Sequence, residues 1–203
     1  LQHEDFWEIA GLVKPWVLEG GYWRILSAPF LHFSTPYLGI MVPVFGIAFP
    51  YIQKIAHPLY LPIVFLLSAV TGNLFSLLIF PNAAFMGPSG GILGIFGFLL
   101  TMSLKLESVP KNFTLLILKY IVLLLLAGLT APLVLDVAVH LGGLLMGMYL
   151  GVVLVNDGEP DLPYKASPMV KFLGVVCTIV ILGAIGFVAL LFLADFVSLQ
   201  LAL

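Results

Sequence analysis

The chain has 203 residues, of which 62% are hydrophobic and 9% charged, and eight Lys and Arg against ten Asp and Glu leave a net charge of −2. A soluble domain carries about 25% charged residues, so too few charges are present to cover a water-facing surface. The composition excludes an ordinary cytosolic domain, a disordered segment and a nucleic-acid binder, and makes lipid the solvent for most of the chain.

In chain order, residues 1–35 come first. They hold all three tryptophans (Trp7, Trp16, Trp23), four acids and no continuous apolar span. Tryptophan gathers at the membrane–water boundary, where its ring is half wet. The segment reads as an amphipathic tail resting on the bilayer or, as its length and its tryptophans favour, as a structured interfacial loop partly embedded beside the helices. The chain opens at Leu1 without a signal-peptide pattern, which reads as a fragment or a processed form.

Six apolar segments follow, at 36–52, 59–80, 89–104, 112–131, 136–155 and 169–197. A spanning helix needs about 20 such residues, and the third segment is short. This predicts an all-α, polytopic membrane helix bundle with six spans. The interfacial loop is 1–35, a transmembrane core 36–155, an acidic linker 156–168 around Asp157, Glu159 and Asp161, and a C-terminal helix lies within 169–203. Prolines and glycines, fourteen and twenty of them, are tolerated in membrane helices and mark close contacts. Cys177 is the lone cysteine and has no internal disulfide partner.

Six spans make the connections alternate between two sides. One side receives residues 1–35, the 81–88 loop and the 132–136 turn, with Lys14 and Arg24. The other receives Lys54, Lys105, Lys111, Lys165 and Lys171, with Lys119 near its boundary. Lysine and arginine accumulate in cytoplasmic loops. The second side is therefore predicted to be cytoplasmic and the N-terminal side extracytoplasmic.

Polar residues within the spans are candidates for function, because burying them in hydrocarbon is costly. Gly87-Pro88 breaks the chain before Ser89. At the helix start, Ser89 is either an N-cap satisfying orphaned backbone donors or a nucleophile. Gly90, Gly94 and Gly97 recur at helical spacing behind it, and Gly143, Gly147 and Gly151 do the same in the fifth span. Such smooth faces let two backbones approach. His140 lies on the second face, about one turn below Asp136, so the two groups share a shallow depth. A serine and a histidine within hydrogen-bond reach form an activated nucleophile. The alternatives for His140 are a histidine bonded to a carbonyl and a porphyrin ligand; with no second histidine at matching depth, no cofactor is expected. His3-Glu4-Asp5 reads as an exposed polar terminus, and no metal site is expected.

The pattern Gly87-Pro88-Ser89-Gly90 with Gly94 and Gly97 resembles the serine motif of the rhomboid intramembrane proteases. His140-Leu141-Gly142-Gly143 with Gly147 resembles their histidine helix, and Asp136 stands where such sequences often carry an acid. Trp23-Arg24 and Phe30-Leu31-His32 are similar to the first-loop motifs, and Gly72-Asn73-Leu74 suits the helix before the serine loop. The resemblance runs from about residue 20 to 155. It implies a six-helix core whose first helix would lie upstream of Leu1, with the C-terminal span as an added seventh. It implies a Ser89–His140 dyad without a third acid, facing the extracytoplasmic side. Gly87, Ser89 and Tyr37 would hold the oxyanion, and Trp23, Arg24 and His32 would anchor the loop.

The sequence differs from the family pattern at four places. Tyr37 and Met41 stand where a histidine and an asparagine commonly help to hold the oxyanion. Gln53 replaces an acid, and Leu93 replaces an aromatic residue beside the histidine. A channel, transporter or cofactor-binding bundle is one reading, and two further functions follow as expectations. One is a serine endopeptidase that cleaves transmembrane segments. The other is a protease-like protein that binds transmembrane helices as an adaptor or a subunit of a larger membrane complex. The partners expected in either case are membrane proteins and the lipid bilayer, with no nucleic acid.

Overall fold

The computed structural model describes residues 8–32, 46, 49–50, 52–82, 84–130, 136–156 and 162–201. The span expected at 36–52 lies almost wholly outside them. The N-terminal segment holds strand β1 (Leu12–Val13), helix α1 (Lys14–Leu18), helix α2 (Arg24–Ser27) and a 3-10 turn (Ala28–Phe30). Helix α3 (Tyr60–Ile79) and strand β2 (Ala84–Phe85) follow. Then come α4 (Ser89–Lys105), α5 (Lys111–Thr130), α6 (Val137–Leu154) and α7 (Pro168–Leu201). The molecule is an all-α membrane bundle: α3, α6 and α7 are each long and apolar enough to cross a bilayer.

Helix α4 is the centre. Every residue from Ser89 to Leu99 is buried, as befits a helix that is apolar all round. It has 17 residues, roughly 25 Å at 1.5 Å per residue, against a hydrocarbon core of about 30 Å. It is thus a short crossing, one residue shorter than α6. Helices α3, α5 and α6 surround it; Phe96 stacks on Tyr120 of α5 with ring centres 5.7 Å apart.

Glycine decides how closely the helices pack. An added Cβ at Gly143 would overlap the Gly90 carbonyl, and one at Gly147 would overlap that of Gly94. At Gly97 it would stand 2.5 Å from the Leu144 carbonyl oxygen. The backbones of α4 and α6 thus touch along three turns. A second seam, which the sequence pattern did not reveal, joins α3 to α6: a Cβ on Gly72 would lie 2.6 Å from the Val139 oxygen, and one on Gly142 would lie 3.0 Å from Gly72 Cα. In lipid, where apolar burial gives little preference for one helix over another, such close contact supplies the association energy.

The bundle has two chemically distinct ends. At one, Lys105 Nζ donates to the carbonyls of Val152, at 3.0 Å, and Val155, capping the end of α6 from α4. Tyr164 pairs with Ala56 in a parallel bridge, its ring 6.1 Å from that of Tyr60. Residues 157–161 of the linker lie outside the described chain, whereas Tyr164 and Ala166 are buried against the core. The other end carries the N-terminal segment, β2 and the start of α6.

Helix α7 has 34 residues, about 51 Å in length, and its side chains are largely exposed. It touches the bundle through Gly174 against Leu59 and, farther along, through Val188, which is buried with Ala10, Leu31 and Met86. Phe187 meets Trp23 edge to face at 5.4 Å.

Candidate functional site

Ser89 is the first residue of α4. Pro88 occupies the cap position and no side chain caps the helix, so the capping role open to Ser89 in the sequence is not the one it fills. Gly87 before it has a φ of 146°, backbone that only glycine adopts without strain; this turn sets Ser89 at the helix start. Ser89 is 2% exposed and its Oγ has no hydrogen-bond partner among the described residues.

His140 lies in the first turn of α6. The side chain of Asp136 caps this helix, accepting from the N–H of Ala138 at 2.9 Å and of Val139 at 3.3 Å. His140 is 1% exposed, with neither ring nitrogen bonded to any of the described residues. The Gly90 position is bounded by Val139 and Gly143 of α6, so the chain neighbours Ser89 and Val139–His140 flank one backbone crossing. The hydrogen bond expected between Ser89 and His140 is not formed here. Catalytic hydrogen bonds are often long without substrate and tighten in the complex.

Ser68 of α3 is a second buried hydroxyl without a partner among the described residues, and it packs against Gly94. An unsatisfied buried polar group costs about 1–3 kcal/mol. Concentrating such groups along one seam is the opposite of what stability alone favours. In the sequence, the only signal of Ser68 is a hydroxyl in an apolar helix.

The N-terminal segment is folded against this seam. Strands β1 and β2 pair antiparallel, Leu12 with Phe85 and Val13 with Ala84, which ties the segment to the loop entering Ser89. The Gly87 N–H donates to Ala28 O at 3.0 Å. Gly87 is expected among the oxyanion donors; in this structure its N–H is engaged by Ala28 O. Arg24 donates to the carbonyls of Gly11 at 2.9 Å and Glu8 at 2.7 Å. Its guanidinium lies 4.8 Å and 4.5 Å from the rings of Trp16 and Trp23. Burial pushes its pKa down, and the carbonyls and ring faces compensate the charge. Asn73 of α3 donates to Ile25 O at 2.9 Å. Helix capping, an ion pair and a hydroxyl bond converge on Asp136, which Lys14 Nζ meets at 3.0 Å and Ser76 Oγ also contacts. In the sequence, Lys14 carries no signal beyond its charge on the N-terminal side.

Tyr37 and Met41 lie outside the described residues, as do His3, Glu4 and Asp5. Gln53 is exposed, in the stretch that packs beside Tyr164. Leu93 is fully buried in the core. Among the described residues, no three His, Cys, Asp or Glu side chains gather as a metal site.

His32 is half-buried at the end of the loop, and burial lowers its pKa from 6.5. Native His32 therefore binds its proton at lower pH than the unfolded chain does. Stability is fully present above pH 6.5 and falls as the pH drops below it, where the unfolded state takes up the proton first. The expected result is a melting temperature that declines from about pH 6.5 downward, less steeply in His32→Gln. An identical decline in both proteins would show that other groups control it.

A family model described as a Rhomboid domain matches residues 19–157, more than half of the chain. No curated protein matches it.

Proposed function

Since the chain belongs to the rhomboid family of intramembrane proteases and protease-like proteins, we propose that it is a serine endopeptidase cleaving transmembrane segments of other membrane proteins. The observation that carries this reading is the pair of buried side chains, Ser89 and His140, held without partners among the described residues at a backbone-to-backbone helix crossing.

The chemistry follows from those groups. His140 accepts the Ser89 hydroxyl proton as Oγ attacks the scissile carbonyl, and it returns that proton to the departing amine. This leaves an ester on Ser89. A water then gives a proton to His140, attacks the ester and releases the new carboxyl end with Ser89 restored. Ser89 N–H is in the first helical turn, where backbone donors lack intrahelical acceptors, and it is the first oxyanion donor; the Tyr37 hydroxyl is the second. A substrate helix must unwind locally to expose its carbonyl, since a membrane helix satisfies its own backbone. The lysine-poor end that holds the N-terminal segment is the extracytoplasmic one in this reading. No cofactor takes part in these steps.

Detergent-solubilised protein incubated with a fluorophosphonate is expected to acquire one label per chain, at Ser89. A second reading rests on Met41, which cannot donate where the family commonly has an asparagine; losing one oxyanion donor costs about 10²–10³ in rate. Folded protein that binds transmembrane peptides but takes up no label, under conditions that label an active rhomboid protease, would establish the non-cutting adaptor instead.

A further inference from the structure

The bridge between Lys14 and Asp136 stands outside the proton transfers and directly against them. Lys14 is 0% exposed although it is a cation of the interfacial segment. Its Nζ lies 3.0 Å from Asp136 Oδ2, across 122 residues of sequence. The same oxygen accepts the Ser76 hydroxyl, while Oδ1 accepts the N–H groups that open α6. One carboxylate thus joins the N-terminal segment, α3 and α6. Asp136 precedes His140 by four residues, one turn on the same face, and the His140 N–H donates to Asp136 O at 3.2 Å. From Lys14 the chain runs back into β1, which pairs with β2, and β2 leads into Ser89. Lys14 is therefore the midpoint of a continuous set of contacts from the serine loop to the histidine helix.

A buried ion pair is weak evidence for stability, since apolar replacements are often as good or better. What it supplies is direction: a short charged contact fixes separation and orientation where apolar packing tolerates sliding. We propose that Lys14 is a positioning residue, whose bridge to Asp136 sets the first turn of α6 and so the place of the His140 imidazole relative to Ser89. Its catalytic meaning rests on the Ser89–His140 reading; its structural content does not.

The test uses the full chain in detergent as wild type, Lys14→Met, Lys14→Arg and the neutral pair Lys14→Met with Asp136→Asn. Three quantities are measured: melting temperature, fluorophosphonate labelling rate well below each melting point, and hydrogen exchange over residues 136–143. Lys14→Met leaves a buried carboxylate uncompensated, so its melting temperature falls. Its labelling slows by about 100-fold, as expected for a misplacement near 1 Å, and exchange over 136–143 accelerates. Lys14→Arg keeps a donor at the carboxylate and recovers labelling to within about tenfold. The neutral pair removes the stranded charge and retains a capping side chain, so its melting temperature recovers while labelling stays slow and exchange stays fast. This pair also carries the test if Lys14→Met alone does not fold. Labelling that simply follows melting temperature across the set, or unchanged exchange over 136–143, overturns the proposal. Unlabelled wild type would instead remove the hydrolase reading, and the exchange measurement alone would then decide whether Lys14 holds α6.

Discussion

Ser89→Ala is expected to reduce cleavage of a transmembrane substrate by at least about 10⁴-fold, with a melting temperature equal to or above that of wild type. The rate follows from the chemistry: without Oγ no acyl-enzyme forms, and serine hydrolases that lose the nucleophile fall by about 10⁶ in kcat. The stability follows from burial. Ser89 is 2% exposed and its hydroxyl is unpartnered among the described residues, so removing it removes an unsatisfied group and costs little packing. His140→Ala is expected to match the loss in rate but to lower the melting temperature, because a wholly buried ring leaves a cavity beside Val139. Residues that act as a unit are not additive; the double variant should be no slower than either single one. Rates from a fluorogenic transmembrane peptide in vesicles, read beside thermal melts, check all three. Residual activity near wild type in Ser89→Ala would place the nucleophile elsewhere.

Gly143→Ala is expected, with Gly147→Ala, to produce one of the two largest losses of stability of any single methyl added to a core glycine. The new Cβ would overlap the carbonyl of Gly90, and a backbone cannot rotate away as a side chain can. Ordinary overpacking costs about 1–3 kcal/mol; a collision between two helix backbones should reach the top of that range or exceed it. Gly147→Ala meets the Gly94 carbonyl in the same way. The controls lie in α7, where Gly183 and Gly186 have nothing within 4 Å. Alanine there should be neutral or stabilising by up to about 1 kcal/mol, the difference in helix propensity. Melting and size-exclusion profiles of the four variants make the comparison. A Gly143→Ala protein as stable as wild type would mean that α4 and α6 do not cross at Gly90.

Much of the architecture was legible because it is locally encoded. The segments expected at 59–80, 89–104 and 136–155 correspond to helices Tyr60–Ile79, Ser89–Lys105 and Val137–Leu154. In lipid, an apolar run of the right length has few options other than a helix that satisfies its own backbone. The glycine periods marked the smooth faces for the same reason, since spacing along a helix determines which residues share a side. Ser89 and His140 stood out because polar groups are scarce in such runs.

Other features had no local signature. That Lys14 is buried against Asp136 depends on a chain path of 122 residues, and a lysine in an interfacial segment carries the same hydropathy whether it meets lipid headgroups or a carboxylate. Gly87 illustrates a competition: its sequence position suited an oxyanion donor, yet the folded N-terminal segment brings Ala28 O to its N–H. The seam of Gly72 and Gly142, and Ser68 against Gly94, arise from how α3 leans on the other two helices. The sequence by itself determined the solvent, the helices and the few polar exceptions among them, because these depend on residue type and spacing within a few turns. Only the tertiary structure decided which groups meet and which donors remain available, because hydrogen bonds and ion pairs are settled over a few ångströms between segments distant in the chain.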